Sequence, residues 1–441
     1  MRFVIFTHVE HVPKGSSYFA YAPYIKEMNL WLQLVKEVEV VAPLRKELRF
    51  NAEAYRHDRL IFTSIPAFDL LSPKNALVAI LKFPVIFART LAAMHRADHL
   101  HLRCPGNIGL IACICQIFFP KKSKTAKYAG NWDPAAKQPW TYRLQKWILK
   151  NPFLTRNMQA LVYGEWDKGS KNVVPFFTAS FSEKEIPEVE EKRFSGPLTF
   201  LFVGNLVPGK QPLEAVKLVE AIHTAGTDEE IGARLEVYGD GPEWDRLENY
   251  CKEHGLGEQV IFHGSRPLQD LKIAYQKAHF VILPSRSEGW PKAIAEGMFY
   301  GCIPIATPVS CVPWMLDYGS RGILLSDPFL QKICQFEYSS EPAAAGLKNV
   351  SRTGFSLVTG EEKEVVRGQR ADIQNSKFRI QGRTGECTMD KGENVLKILS
   401  LLSDQEEMKR MSDEAKKWSQ QYTLERFEGG IKEVLGKRFI V

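Results

Sequence analysis

Eight cysteines occur in this 441-residue chain, yet none forms a Cys-x-x-Cys pair and none has histidines near it at zinc spacing. Most of them sit in apolar stretches, where a free thiol behaves as a small buried hydrophobe, and a reducing cytosol fits best. Long hydrophobic runs are also missing: 77–94 and 108–119 read as too short or too interrupted by Lys and Arg to span a bilayer. The opening MRFVIFTHVE has no apolar region followed by a small-residue cleavage site, so no signal peptide is expected. A large charge of one sign is absent too, since 58 Lys+Arg against 51 Asp+Glu leave only +7. With no basic block interleaved with aromatics, nucleic acid is not an expected partner. The mild excess suits either loose attraction to an anionic membrane or phosphorylated ligand, or simply a slightly basic surface. The expectation is a cytoplasmic protein, soluble or peripheral at the inner face of the membrane. No Gly-x-Gly-x-x-Gly opens any unit, which argues against a nicotinamide dehydrogenase. No Asp-x-Asp occurs either, so no bound Mg²⁺ or Mn²⁺ is implied.

What is present is an ordinary globular composition, 44% apolar and 25% charged, in a chain too long for one core. Short apolar runs at 2–6, 37–41, 59–63, 98–102, 125–129 and 159–163 read as parallel strands covered on both faces. Helical patterns at 19–36, 74–95, 107–118 and 139–150 separate them, predicting a doubly wound α/β unit. A polar, acidic, proline-containing linker over 181–196 follows. A second alternation then runs from LTFLFVG (198–204) to GILL (322–325), so two Rossmann-like units are expected. Residues 327–393 break the rhythm and read as an insertion. The end is helical, with Ser403-Asp404 as a cap.

The sharpest chemistry lies in PSRSEGWPKAIAEG, 284–297. It follows a strand and opens a helix near Pro291, so Glu288 falls at the carboxyl edge of the sheet, where open α/β sheets bind ligands. Glu296 follows eight residues later, on the helix. Two such carboxylates suit the two ends of an elongated ligand, or equally a capped helix with surface glutamates. Gly289 permits close backbone approach, and the N–H groups of 289–292 suit a phosphate. VGNLVPGK (203–210), YGDGPEWDRL (238–247) and VIFHG (260–264) end three further strands in glycine along the same edge.

Residues 198–325 in that order closely resemble the donor domain of retaining glycosyltransferase family 4, of the GT-B fold, whose E-x7-E motif stands here as Glu288 and Glu296. The resemblance implies that Glu288 contacts the transferred sugar and Glu296 accepts from ribose hydroxyls. Lys210 would offset charge building on the diphosphate leaving group. Gly289, Trp290, Pro291 and Lys292 would shape the loop around sugar and phosphate. Gly204, Asn205, Gly239, Asp240 and Gly241 would line the donor edge, with His263 and Gly264 bordering the base. No cofactor is implied beyond the nucleoside-diphosphate sugar, which is a substrate, and the metal's role would fall to lysine and helix-end charge. Asn205 departs from the pattern, standing where the family usually has arginine; Arg286 or Arg103 would have to compensate.

The same resemblance implies an acceptor-binding unit over 1–180, completed by the C-terminal helix at about 420–441, and a donor unit over 197–419. On the acceptor side Gly15 and Ser16 form either a small-residue loop at the cleft or an ordinary turn. Arg103 would face the cleft. Trp132 offers a surface for sugar stacking, and Asp133 binds an acceptor hydroxyl or caps a turn. His99 and His101 read as packing or edge hydrogen-bonding residues. The implied activity is sugar transfer to a hydroxyl with retention, the acceptor being a glycan or lipid-linked intermediate of cell-surface polysaccharide or lipopolysaccharide synthesis. The alternatives are a GT-B nucleotide-sugar epimerase, against which E-x7-E argues, and a non-catalytic glycan- or partner-binding protein.

Overall fold

The computed structural model of the protein describes residues 1–47, 52–68, 73–166, 170–187, 192–225, 232–326, 380–381, 386–387 and 392–436. Its first sheet has seven parallel strands. In chain order these are β1 (Arg2–Phe6), β4 (Glu37–Ala42), β6 (Leu60–Ser64), β7 (His99–Cys104), β8 (Ser123–Tyr128), β9 (Met158–Tyr163) and β10 (Val173–Phe176), in the spatial order β10-β9-β8-β7-β1-β4-β6. Phe3, Val4, Ile5 and Phe6 are all fully buried, as a strand with helices on both faces requires. The chain returns from β6 to β7, from β7 to β8 and from β8 to β9 through α2 (Pro73–Arg96), α3 (Asn107–Cys115) and α4 (Trp140–Lys150). These crossovers all run in one direction across the sheet, so the right-handed rule lays the three helices on one face; α1 (Ala22–Leu32), running the opposite way, covers the other.

The expected βα alternation is therefore present, with two corrections. Residues 17–21 are a strand, not the start of a helix. SYFAY forms β3 (Ser17–Tyr21), pairing antiparallel with β2 (Val12–Lys14) and β5 (Ala52–Ala54) in a small separate sheet. The helix begins only at Ala22, with Pro23 in its first turn, where a missing N–H costs nothing. The other omission is β10, whose Pro175 argues against a strand; it lies at the sheet edge, where proline is tolerated.

The second sheet is parallel as well. It contains β11 (Leu198–Val203), β12 (Ala233–Tyr238), β13 (Val260–Gly264), β14 (Phe280–Leu283), β15 (Ile303–Ala306) and β16 (Ile323–Leu324), in the order β13-β12-β11-β14-β15-β16. Helices α5 (Pro212–Ala225), α6 (Trp244–Glu253), α7 (Leu268–Lys277), α8 (Lys292–Phe299) and α9 (Val312–Met315) connect them. The expected insertion at 327–393 falls almost wholly outside the described residues. Its two ends meet: the backbone N–H of Ser326 donates to Asn394 Oδ1 at 2.8 Å, and its hydroxyl donates to the same oxygen at 3.1 Å.

Three helices close the chain, α10 (Glu393–Leu402), α11 (Gln405–Ser419) and α12 (Leu424–Leu435). Asp404 caps α11 as expected, accepting from the N–H of Glu407 at 2.9 Å. Helix α11 packs along α8, while α12 crosses back to α1 and sets Phe427 against Phe176 of β10. Between the sheets lies an aromatic cluster in which Trp290 stacks on Trp418 and also meets Tyr163 and Phe177.

Candidate functional site at the edge of the second sheet

The glycine-ended strands bring their loops into one continuous rim. The N–H of Gly204 donates to Tyr238 O and that of Gly239 to Gly264 O, both at 3.0 Å, and the N–H of Leu206 donates to Asp240 O at 2.9 Å. Gly239 cannot be replaced here, because a Cβ would run into the carbonyl oxygen of Gly204. Asp240, Gly241 and Gly264 line an open hollow of about 480 Å³ with Pro242, Trp244 and Asp245. Beside it His263 stacks on Tyr238, with 4.2 Å between ring centroids and 13° between planes.

On the other side of β11, the N–H of Arg286 donates to Gly209 O at 2.9 Å and ties the β14–α8 loop to the turn carrying Lys210. Lys210 Nζ consequently donates to Glu288 Oε1 at 2.6 Å. Glu288 is buried and Lys210 only half so, leaving part of the lysine side chain exposed. Lys292 opens α8 immediately beyond, adding charge to the positive end of the helix dipole. Gly289 touches the first unit: a side chain there would strike the carbonyl oxygen of Ala129, just past β8.

Glu296 stands deeper than its place at a ligand edge led us to expect. Its two carboxylate oxygens accept from Ser180 Oγ at 2.6 Å and Tyr275 Oη at 3.0 Å, and burial raises its pKa. Ser180 belongs to the segment joining the two units. Tyr275 lies on α7 in a helical pattern that reads as core, so neither partner was visible from sequence.

On the acceptor side several candidates are corrected. Trp132 is 1% exposed, packed edge-on against Tyr128, and presents no face for a sugar. Asp133 is a turn residue, accepting from the N–H of Ala135 at 2.8 Å. Gly15 and Ser16 form the exposed tip of the β2–β3 hairpin. Arg103 cannot replace the arginine absent at Asn205, because it is buried in an ion pair with Glu27 and lies over the Tyr24 ring. Arg286, in contrast, is exposed on the rim. His99 and His101 share the Thr125 hydroxyl at 2.9 and 2.8 Å, and burial lowers the pKa of both, as a packing role requires.

Two features escaped the sequence. Lys127 Nζ lies 3.2 Å from Glu27 and donates to Phe177 O at 3.1 Å, completing a buried Glu27–Arg103–Lys127 cluster whose field includes Lys292 of the second unit. Burial by itself would raise the Glu27 carboxyl, but Arg103 and Lys127 bring it down to about 2. Burial lowers Lys127 to about 8 against the pull of Glu27. The other feature is a cavity of about 220 Å³ at the carboxyl edge of the first sheet, lined by His8, Glu10, Phe68, Asn107 and Tyr142 among others. His8, two residues past the end of the first strand, was the one available signal for it.

Residues 183–336 match the family described as Glycosyl transferases group 1. This part of the chain is a glycosyltransferase group 1 domain. The residues named above on the rim of the second sheet, apart from Ser180, lie within the matched stretch. Curated relatives include lipopolysaccharide 1,6-galactosyltransferase of Salmonella typhimurium, 29% identical over 131 residues, covering 29% of this chain and 35% of that one. D-inositol 3-phosphate glycosyltransferase of Corynebacterium kroppenstedtii is 28% identical over 146 residues, covering 30% and 32%. The chain thus spans about a third of the length of these relatives. Among solved structures, sucrose-phosphate synthase from Thermosynechococcus elongatus superposes with a TM-score of 0.57 at 14% identity, covering 98% of both chains. HepE of Anabaena, solved with UDP, gives 0.57 at 12% identity and 99% of both. With two facing Rossmann-like sheets, the fold is GT-B.

Proposed function

We propose that the protein transfers a sugar from a nucleoside diphosphate to a hydroxyl of a glycan or lipid-linked acceptor, with retention, in cell-surface polysaccharide or lipopolysaccharide assembly. The observation that carries the reading is the Lys210–Glu288 pair beside the glycine rim of the group 1 domain. The base would lie in the hollow at Asp240, Gly241 and Gly264, near His263. The diphosphate would run past Gly204 and Asn205 toward Lys210, Lys292 and the start of α8, with Arg286 supplying the second cation that Asn205 lacks. As the donor enters, Lys210 exchanges the Glu288 carboxylate for the diphosphate. The released carboxylate then faces the sugar, where positive character develops as the bond to phosphate breaks. Retention follows from same-face attack, the departing phosphate drawing the acceptor proton. Glu296, held by Ser180 and Tyr275, keeps unused lone pairs for ribose hydroxyls. The acceptor would enter from the first unit, past His8 and Tyr142.

The test is a panel of UDP-, GDP- and ADP-sugars with a crude glycolipid and glycan extract, assayed for released nucleoside diphosphate. Release with one donor class, lost in Lys210→Ala, is expected. No release from any donor by a protein that still binds a nucleoside diphosphate would favour a binding protein without turnover.

A further inference from the structure

Helix α2 carries its apolar residues on the wrong side for a water-soluble surface. Ile86, Thr90, Ala93 and Met94 face the sheet and are buried. Leu77, Leu81, Pro84, Val85, Ala88 and Ala92 recur at i+3 and i+4 along the outward stripe. Leu81 is 73% exposed, Ile80 67% and Leu77 61%. Leu77–Arg96 has a mean hydropathy of 1.8 and is long and apolar enough to cross a membrane by length and composition, which corrects the expectation that this run was too interrupted. Because one side of the helix is packed against β1, β4 and α3, the outward stripe alone can meet a new environment.

The neighbouring helix repeats the pattern with different chemistry. Trp140, Arg143, Trp147 and Lys150 form one exposed stripe of α4, alternating aromatic and cationic, and the two tryptophans are 62% and 59% exposed. Phe118, after α3, and Phe153, after α4, are exposed too. These helices lie on the same face of the first sheet, α3 packed between α2 and α4. The segment is basic as well. Over residues 73–157 there are 14 Lys and Arg against two acids, Asp98 and Asp133; Arg103, Lys124, Lys127 and Lys146 are buried, whereas Arg89, Arg96, Arg143, Lys150 and Arg156 are among those exposed.

We infer that this face docks on an anionic lipid bilayer, lying in its interface rather than spanning it. Aliphatic side chains of α2 would enter the acyl boundary, and the tryptophans of α4 would sit at headgroup level, where amphipathic rings are favoured. Arg143, Lys150 and their neighbours would meet lipid phosphates. A nucleic acid would match the charge but not the aliphatic stripe; a bilayer matches both. The His8–Tyr142 cavity has Tyr142 two residues from Trp140, so docking brings it close to the lipid surface.

The test is flotation of the full chain with phosphatidylcholine vesicles, with and without phosphatidylglycerol. Binding should require the anionic lipid and weaken between about 0.05 and 0.5 M salt, as screening shortens. Leu81→Asp with Val85→Asp should lower the partition coefficient by about tenfold or more, since apolar burial is replaced by desolvated charge. Trp140→Ala with Trp147→Ala should lower it separately. Every one of these positions is exposed, so unchanged thermal melts will show that the variants fold. No binding to anionic vesicles, or binding that neither double variant weakens, overturns the inference. So does a dimer that the α2 variant dissolves while vesicles bind neither form, because the stripe then belongs to a second copy. The readout is independent of sugar transfer.

Discussion

Glu288 and Glu296 share a motif, yet their surroundings differ enough to separate them by experiment. Glu288 pairs with the half-exposed Lys210. Its carboxylate is worth most where charge develops, so Glu288→Gln should cut kcat even at saturating donor. Glu296 would touch hydroxyls that do not change in the reaction, so Glu296→Gln should mainly raise the donor KM. Steady-state kinetics on both variants checks this, and the reverse pattern would remove the role assignment. Stability belongs in the same comparison, because truncating Glu296 to Ala strands the buried Tyr275 hydroxyl and unpairs that of half-buried Ser180, at a cost of about 1–3 kcal/mol. Lys210→Ala should lower kcat by about 10²-fold, the scale of a lost charge-stabilising donor. On the proposed phosphate site at Lys210, Lys292 and the start of α8, activity should survive EDTA; loss restored by Mn²⁺ would refute that site. The motif was legible because strand, loop and carboxylate are consecutive in the chain. The partners of Glu296 were not, since Ser180 lies 116 positions away. Trp132 misled for a related reason: an aromatic in a turn looks available until the turn folds under its neighbours.

Strands and long helices were largely legible, since continuous apolar runs between amphipathic stretches leave few alternatives to a parallel sheet. What escaped were short strands whose role is set by neighbours rather than by pattern, namely β2, β3 and β5, and the proline-bearing edge strand β10. The ends of the 327–393 segment are another element-scale contact, because Ser326 and Asn394 already hold β16 and α10 together. Replacing most of 327–393 with a short Gly/Ser linker should therefore leave a cooperative melt and unchanged nucleotide binding. Calorimetry with isothermal titration tests this. Global unfolding of the shortened chain would show that the segment contributes to the core.

The two units meet through the Trp290 cluster, and the field of Lys292 reaches a charge cluster buried in the first unit. Glu27, on α1, neutralises part of the positive charge of Arg103 and Lys127 in a buried site. Glu27→Ala leaves both cations without a carboxylate and should destabilise the protein by about 3–5 kcal/mol. Because the folded pKa of Glu27 is about 2, below its usual 4.5, its contribution is present above pH 4.5 and is lost as pH falls from there toward 2. Urea unfolding from pH 7 to 3 should show that loss in the native chain and a flatter profile in Glu27→Gln. Equal profiles would mean that the pair contributes nothing net. Helix α12 ties the halves together in a third way, setting Phe427 and Ile431 into the apolar layer beside α1 and β10. On the ribosome, the half translated first must wait for α12 before that layer is covered. Its apolar face stays open while the whole second unit is synthesised, and emergence of α12, rather than of the first unit itself, becomes the moment at which the first unit's packing is complete.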